Sequence, residues 1–192
     1  DLTAHIVRSC RVEQTPRVMQ MSGIFDVQPS PESREEWTVD LPLGERPWSV
    51  GLIVGTSGCG KSTIARELFG EAVVTGYEWS TDRAILDGFP TVLGIKEVIA
   101  ALSSVGFASP PAWLRPFHVL STGQQFRVTV ARALVEAGDL VVIDEFTSVV
   151  DRNVAQVGSA AVAKTVRKSG KKLIAVTCHY DVTEWLQPDW LY

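Results

Sequence analysis

Gly55-Thr56-Ser57-Gly58-Cys59-Gly60-Lys61-Ser62-Thr63 places glycines, a lysine and a hydroxyl at the spacing G-x-x-x-x-G-K-[ST]. Glycines let successive backbone amides turn inward around phosphate oxygens, and a helix starting there adds its N-terminal partial charge. In such a loop the Lys61 amine neutralises β/γ-phosphate oxygens and the Ser62 hydroxyl is a ligand for Mg²⁺. Cys59 stands at a variable position and reads as structural. The context is the required one: a buried apolar strand, Val50–Val54, precedes the loop, and a helix runs to about Phe69 with Gly70 as its stop. A glycine-rich turn that binds no phosphate is the competing reading.

A second constellation lies between Leu120 and Asp151. Ser121 and Gln124 have the S-x-x-Q spacing of a capping box, in which each side chain bonds the other residue's amide. Phe126, Val130, Leu134 and Ala137 follow as one apolar helix stripe, with Gly138 expected to close it. Leu140–Ile143 is a short apolar run, read as a strand buried on both faces, and it delivers Asp144 and Glu145 at its carboxyl end. Adjacent acids on a strand face opposite ways, so both reach one site only if the backbone turns there. Free amides at a capped helix start suit a phosphate; simple capping is the other reading of Ser121–Gln124.

From Leu120 to Asp151 the chain resembles, without a gap, the signature region of ABC-type ATPases. That pattern runs close to LSGGQQQRVAIARAL, then a Walker B strand ending in DE, then SALD. The match continues through Arg127 and Ala131-Arg132-Ala133-Leu134. It departs at Thr122 (usually Gly), at Phe146 (often Pro) and at Val149-Val150 (Ala-Leu). The resemblance implies an α/β fold, a P-loop NTPase of ABC type. Its parts would be a mainly parallel sheet flanked by helices, an antiparallel β layer and a helical subdomain. It implies ATP and Mg²⁺ as cofactors and hydrolysis to ADP and phosphate.

The roles follow from the same resemblance. Gly55, Ser57, Gly58, Cys59, Gly60, Lys61, Ser62 and Thr63 would surround the phosphates. Asp144 would hold Mg²⁺ directly or through water, and Glu145 would polarise or deprotonate the attacking water. A helix over Asn153–Lys168, closed by Gly170, leads to a strand at Lys171–Cys178, and His179 just past it corresponds to the family's switch histidine, in reach of the γ-phosphate. Ser121, Gly123 and Gln124 would meet the nucleotide of a second subunit, giving an ATP-dependent head-to-tail homodimer with Asp151 near the interface.

Residues 1–50 read as β-rich, with strands near Ile6–Val12, Val18–Met21 and Trp37–Leu43 and a polar loop at Gln28–Glu36. In the family an aromatic of this layer stacks on adenine. By position Phe25 fits that role, with Trp37 and Trp48 as weaker candidates; a plain core residue is the alternative for Phe25.

Between residues 71 and 119 the pattern is sparser. Ala84-Ile85-Leu86 reads as a strand ending in a turn at Asp87-Gly88-Phe89-Pro90, Ile95–Ser104 as a helix, and Ser109–Pro116 as an irregular link. Residues 88–119 would form a reduced helical subdomain. No glutamine occurs between Ile64 and Leu120, where the family has one sensing the γ-phosphate and Mg²⁺. Asp87 takes its place by position, either as the holder of a metal-bound water or as a turn-forming Asp. The short interval and the missing glutamine favour a soluble ATPase that drives a non-transport process. The alternatives are the ATP-binding subunit of a membrane transporter and a nucleotide-gated dimerisation module with slow hydrolysis; intact Asp144, Glu145 and His179 weigh against the last.

Composition bounds these readings. A chain of 192 residues, 45% hydrophobic and 21% charged, is expected to be a single globular domain spanning 1–192. A net charge of −4 gives no general attraction to nucleic acid or anionic lipid. The longest apolar runs fall far short of the ~20 residues of a membrane span, so no direct membrane insertion is expected. Three cysteines make no disulfide framework, and no signal peptide is visible, which points to the cytoplasm. The start at Asp1 without Met suggests a domain of a longer chain, with an effector domain linked or separate. The opening segment and the ending His179–Tyr192 also resemble, loosely, a prokaryotic ABC-type group fused to a predicted acetyltransferase domain, though no residue here indicates acyl transfer.

Overall fold

The computed structural model describes residues 2–192, which divide into a small unit up to Pro42 and a larger one, Leu43–Tyr192.

The small unit is an antiparallel pair, β1 (Leu2–Arg11) and β2 (Glu32–Leu41), joined through helix α1 (Pro16–Phe25). The ladder runs from Leu2 opposite Leu41 to Arg11 opposite Glu32. Val39 and Leu41 are buried while Thr38 and Asp40 are not as deep, the period-two alternation of a one-sided ribbon. Two expectations fail here. Val18–Met21 is helical, because Thr15 caps the Val18 amide and Pro16 occupies the first helical position, a start signal stronger than four apolar residues. The polar segment Gln28–Glu36 is half strand: from Glu32 onward it pairs with β1, and Arg8 and Arg11 stand opposite Glu35 and Glu32.

The larger unit is built on a five-stranded parallel sheet. In chain order its elements are β3 (Val50–Val54), α2 (Lys61–Phe69), β4 (Val73–Val74), α3 (Ile95–Ser104), α4 (Pro110–Trp113), α5 (Thr122–Glu136), β5 (Leu140–Ile143), α6 (Arg152–Ser169), β6 (Lys172–Thr177), α7 (Val182–Leu186) and β7 (Trp190–Leu191). The strand order is β4-β5-β6-β3-β7, every pair parallel. Central strands β3, β5 and β6 are apolar on both faces because helices cover both. Asp189 pins the start of β3 by accepting hydrogen bonds from the Ser49 and Val50 amides, at 2.8 and 2.9 Å. Gly51 is required next to it: a Cβ there would lie 2.1 Å from the Trp190 ring.

The helical part consists of α3 and α4, with Val98, Leu102, Phe107 and Trp113 buried and the Trp113 indole donating to the Phe107 carbonyl at 3.0 Å. Ile85–Gly88 is a 3₁₀ turn rather than a strand. Pro90 cannot donate to a ladder, and Ile85 instead takes its backbone partner from the Arg115 carbonyl. Gly138 does not close α5. The helix ends at Ala137 in extended conformation, and the Lys171 amine takes up the terminal Leu134 and Ala137 carbonyls, at 2.5 and 2.7 Å.

Candidate functional site

Parallel register brings four loops to one edge of the sheet. Val54 is level with Thr177, Ile143 with Ala175, and Val74 with Ile143. The residues leaving the carboxyl ends are therefore Gly55–Gly60 after β3, Asp144–Ser148 after β5, Cys178–His179 after β6, and Thr75–Tyr77 after β4.

The glycine-rich loop is shaped by its own residues. Gly58 and Gly60 adopt φ of 81° and 95°, the left-handed region that glycine enters without strain. The Lys61 amine folds back to the Thr56 carbonyl at 2.7 Å and lies 3.9 Å from the Cys59 sulfur. Ser57, Gly58 and Cys59 are exposed, and Gly60, Lys61, Ser62 and Thr63 are half-buried at the start of α2, so the loop is open to a ligand.

Ser62 and Asp144 meet across 82 positions of sequence. The Ser62 hydroxyl donates to Asp144 Oδ1 at 2.9 Å, and the Glu145 amide donates to the same oxygen at 2.9 Å. Arg66, one turn into α2, places a guanidinium nitrogen 3.6 Å from Asp144 Oδ2. Asp144 is only 6% exposed, so these three partners compensate a buried carboxylate. A hydroxyl and a carboxylate oxygen side by side form the all-oxygen donor set of a hard cation such as Mg²⁺, which retains most of its waters.

Glu145 solves the opposite-faces problem through a backbone turn: its φ is 54°, and Thr147 follows at 63°. The Ser148 hydroxyl donates to Glu145 Oε2 at 2.6 Å and its amide to the Glu145 carbonyl at 3.0 Å. Neither Arg66 nor Ser148 carried a role in the sequence reading. Ser148 stood in the SVVD string, where its three-residue spacing from Glu145 was the available signal.

His179 lies half-buried just past β6, its amide donating to Thr177 Oγ1 at 3.2 Å. At the start of α5 the capping box forms as expected: the Ser121 amide donates to Gln124 Oε1 at 3.1 Å and the Gln124 amide to Ser121 Oγ at 3.3 Å. Gly123 is buried, and a Cβ there would lie 2.8 Å from Val154, so close α5–α6 packing alone demands glycine. Asp151 caps α6 by accepting from the Asn153 and Val154 amides. Thr122, Gln125 and Phe126 of α5 share an apolar groove of about 310 Å³ with Tyr77, Asp144 and Glu145.

The strand on which the reading of Asp87 depended is absent. Asp87 is an exposed residue of the 3₁₀ turn and borders a separate depression with Glu78, Asp82 and Arg132; the residues that leave β4 beside Asp144 are Thr75–Tyr77. Phe25, the last residue of α1, is 69% exposed. Trp48 is buried, edge-on to Trp190 and under the Lys172 amine, which removes its ring from contention for a base. No group of three or more His, Cys, Asp or Glu able to hold a metal occurs among the described residues.

No family model matches the chain. Among solved structures, it resembles cbiO1 from Clostridium perfringens, part of the ABC transporter complex cbiONQ, with a TM-score of 0.56 at 21% identity over 70% of this chain and 68% of that one. It also resembles the dimeric bacterial ABC transporter cassette MJ0796, with a TM-score of 0.54 at 17% identity over 72% and 78%. The fold is that of an ABC ATPase cassette.

The sequence is similar to the ATP-binding proteins of ABC systems. The aliphatic sulfonates import ATP-binding protein SsuB 2 of Paracoccus denitrificans is 31% identical over 165 residues, 76% of this chain and 65% of that protein. The zinc transport system ATP-binding protein TroB of Treponema pallidum is 30% identical over 182 residues, 76% and 66% respectively. The chain thus spans just under two thirds of these relatives' own length. Both are named for transport. They support the transporter alternative of the sequence reading, and give no support to a non-transport ATPase or to a fusion with an acetyltransferase domain.

Proposed function

We propose that this cassette is the ATP-binding and ATP-hydrolysing domain of a membrane transport system, acting as a head-to-tail dimer on the cytoplasmic side and docked to separate membrane-spanning partners. The transport assignment rests on its likeness to import ATP-binding proteins. No helix among the described residues is long and apolar enough to cross a membrane. One observation carries the hydrolytic reading: Ser62 at the phosphate loop and Asp144 at the end of β5 are 2.9 Å apart, with Glu145 next in the chain. Loop amides and Lys61 bind and orient the phosphates, and Glu145 accepts the proton of the attacking water. Ser62 and Asp144 would hold Mg²⁺, which supplies charge neutralisation at the phosphate oxygens when bound. His179 contacts the γ-phosphate from the end of β6. Ser121, Gly123 and Gln124 present the capped start of α5 to the nucleotide of the second subunit.

Glu145→Gln keeps size and hydrogen bonding but removes the proton acceptor. It is expected to bind ATP without turnover and to accumulate as a dimer with ATP and Mg²⁺ while staying monomeric with ADP. Adding Ser121→Arg is expected to undo the trap by blocking the α5 amides. Light scattering and phosphate release read both; wild-type turnover in Glu145→Gln would overturn the assignment.

A non-transport ATPase stays as the second reading on one observation: Thr75–Tyr77, not a glutamine, leaves β4 beside Asp144. Co-purification of a membrane-spanning subunit from detergent extracts of the source cell separates the two, since a non-transport ATPase would bring none.

A further inference from the structure

Arg152 opens α6, and its guanidinium joins two loops that the catalytic reading keeps apart. It forms a two-pronged ion pair with Asp181, two residues past His179, at 2.9 and 2.5 Å. Its third nitrogen donates to the Thr147 carbonyl at 3.4 Å, within the turn that carries Glu145. The Trp185 ring of α7 lies 5.0 Å beneath it and limits its swing.

The turn needs such a support. Glu145 and Thr147 both hold left-handed backbone conformations without being glycine, and the buried Thr147 hydroxyl has no hydrogen-bond partner. Within the sheet, the Phe146 amide bonds the Val176 carbonyl at 2.9 Å, which joins the same two loops at their base. Arg152 joins them at their tips. A planar fork matched to a carboxylate sets both distance and angle, which a lysine would not.

We propose that Arg152 is a positioning residue, clamped to Asp181, that sets the Glu145 turn at a fixed distance from the His179 loop. This rests on the hydrolytic reading of the site. Water activation by Glu145 and the phosphate contact of His179 have to coincide on one γ-phosphate, so slackness between the loops lowers the rate of the chemical step and leaves ground-state binding unchanged. Asp181 stays ionised for the pairing, because the hydrogen bond from Arg152 holds its carboxyl below the ordinary value.

The test is a cycle of Arg152→Ala, Asp181→Ala and the double variant, with Asp181→Glu as the conservative change. Each alanine variant is expected to lower kcat by about 10- to 100-fold, the scale of a small misplacement, with ATP affinity within about 2-fold of wild type. The double variant should be no slower than either single one. Asp181→Glu should recover part of the loss. Unchanged kcat, losses that multiply in the double variant, or a fall in ATP affinity that accounts for the whole effect would overturn the proposal. Amide hydrogen exchange at Phe146–Ser148 is read on the same proteins. Should wild type itself prove inert, the hydrolytic reading fails, and unaltered exchange in Arg152→Ala would overturn the clamp separately.

Discussion

The loop after β3 and the turn after β5 leave the same edge of one sheet, and both need left-handed backbone. The first obtains it with Gly58 and Gly60, at φ of 81° and 95°. The second forces Glu145 and Thr147 to 54° and 63°, at a cost of roughly 1–2 kcal/mol per residue. The loop is closed by its own Lys61, reaching back to Thr56. The turn is held by its own Ser148 and, from outside, by the Val176 carbonyl and Arg152. A loop that must wrap a ligand with its amides leaves no room for side chains, so glycine is the only solution there. A turn that must aim a carboxylate has to keep a side chain at the strained position, and neighbours must compensate.

Lys61→Ala tests the self-contained loop most severely. Removing the cation that faces the phosphates should weaken ATP binding by about 2–3 kcal/mol, the scale of charge-assisted hydrogen bonds, with the fold intact. Equilibrium titration with a fluorescent ATP analogue measures it, and wild-type affinity would remove Gly55–Thr63 from the nucleotide site.

Opposite signs are expected for the next pair. Gly58→Ala meets no atom within 4 Å yet has φ of 81°, so it should destabilise by ~1 kcal/mol through backbone strain alone. Glu145→Gly abolishes turnover and should raise stability by a few tenths to ~1 kcal/mol, the relieved strain less the flexibility of glycine. Denaturant unfolding of both decides. A destabilised Glu145→Gly protein would mean that the Ser148 bond outweighs the strain, and the contrast between loop and turn would fall.

Ser148→Ala asks how much the side-chain support of Glu145 contributes to chemistry. Losing the 2.6 Å bond to Glu145 should lower kcat several-fold, by ~1 kcal/mol, without changing ATP affinity. Single-turnover phosphate release checks it; an unaltered rate would leave the aim of Glu145 to the backbone alone.

The smallest effect is a pH dependence. Asp181 has its carboxyl held low by Arg152, so the pair stabilises the fold at pH above the ordinary carboxylate range and loses that contribution as pH falls through the depressed value. The side chains are 38% and 42% exposed, so solvent screening keeps the term below ~1 kcal/mol. Asp181→Asn should unfold more easily than wild type near neutrality, the gap closing in acid; a gap independent of pH would assign the loss to shape instead of charge.

Residue order alone determined whatever depends on short spacing. The phosphate loop, the helix from Lys61 to Phe69, the reciprocal caps of Ser121 and Gln124 and the buried strand that delivers Asp144 are all local. Their geometry follows from glycine, hydroxyl and apolar period within a few residues. Only the tertiary structure decided what depends on partners far along the chain: Ser62 against Asp144, Arg152 against Asp181, and the Lys171 amine at the end of α5 where Gly138 had been expected. It also decided the helix at Pro16–Phe25 over a strand and placed Asp87 on an exposed 3₁₀ turn. A hydrogen bond between residues 82 apart depends on the register of parallel strands. That register is set by which apolar faces the helices cover, a property of the whole sheet that no short window of sequence contains.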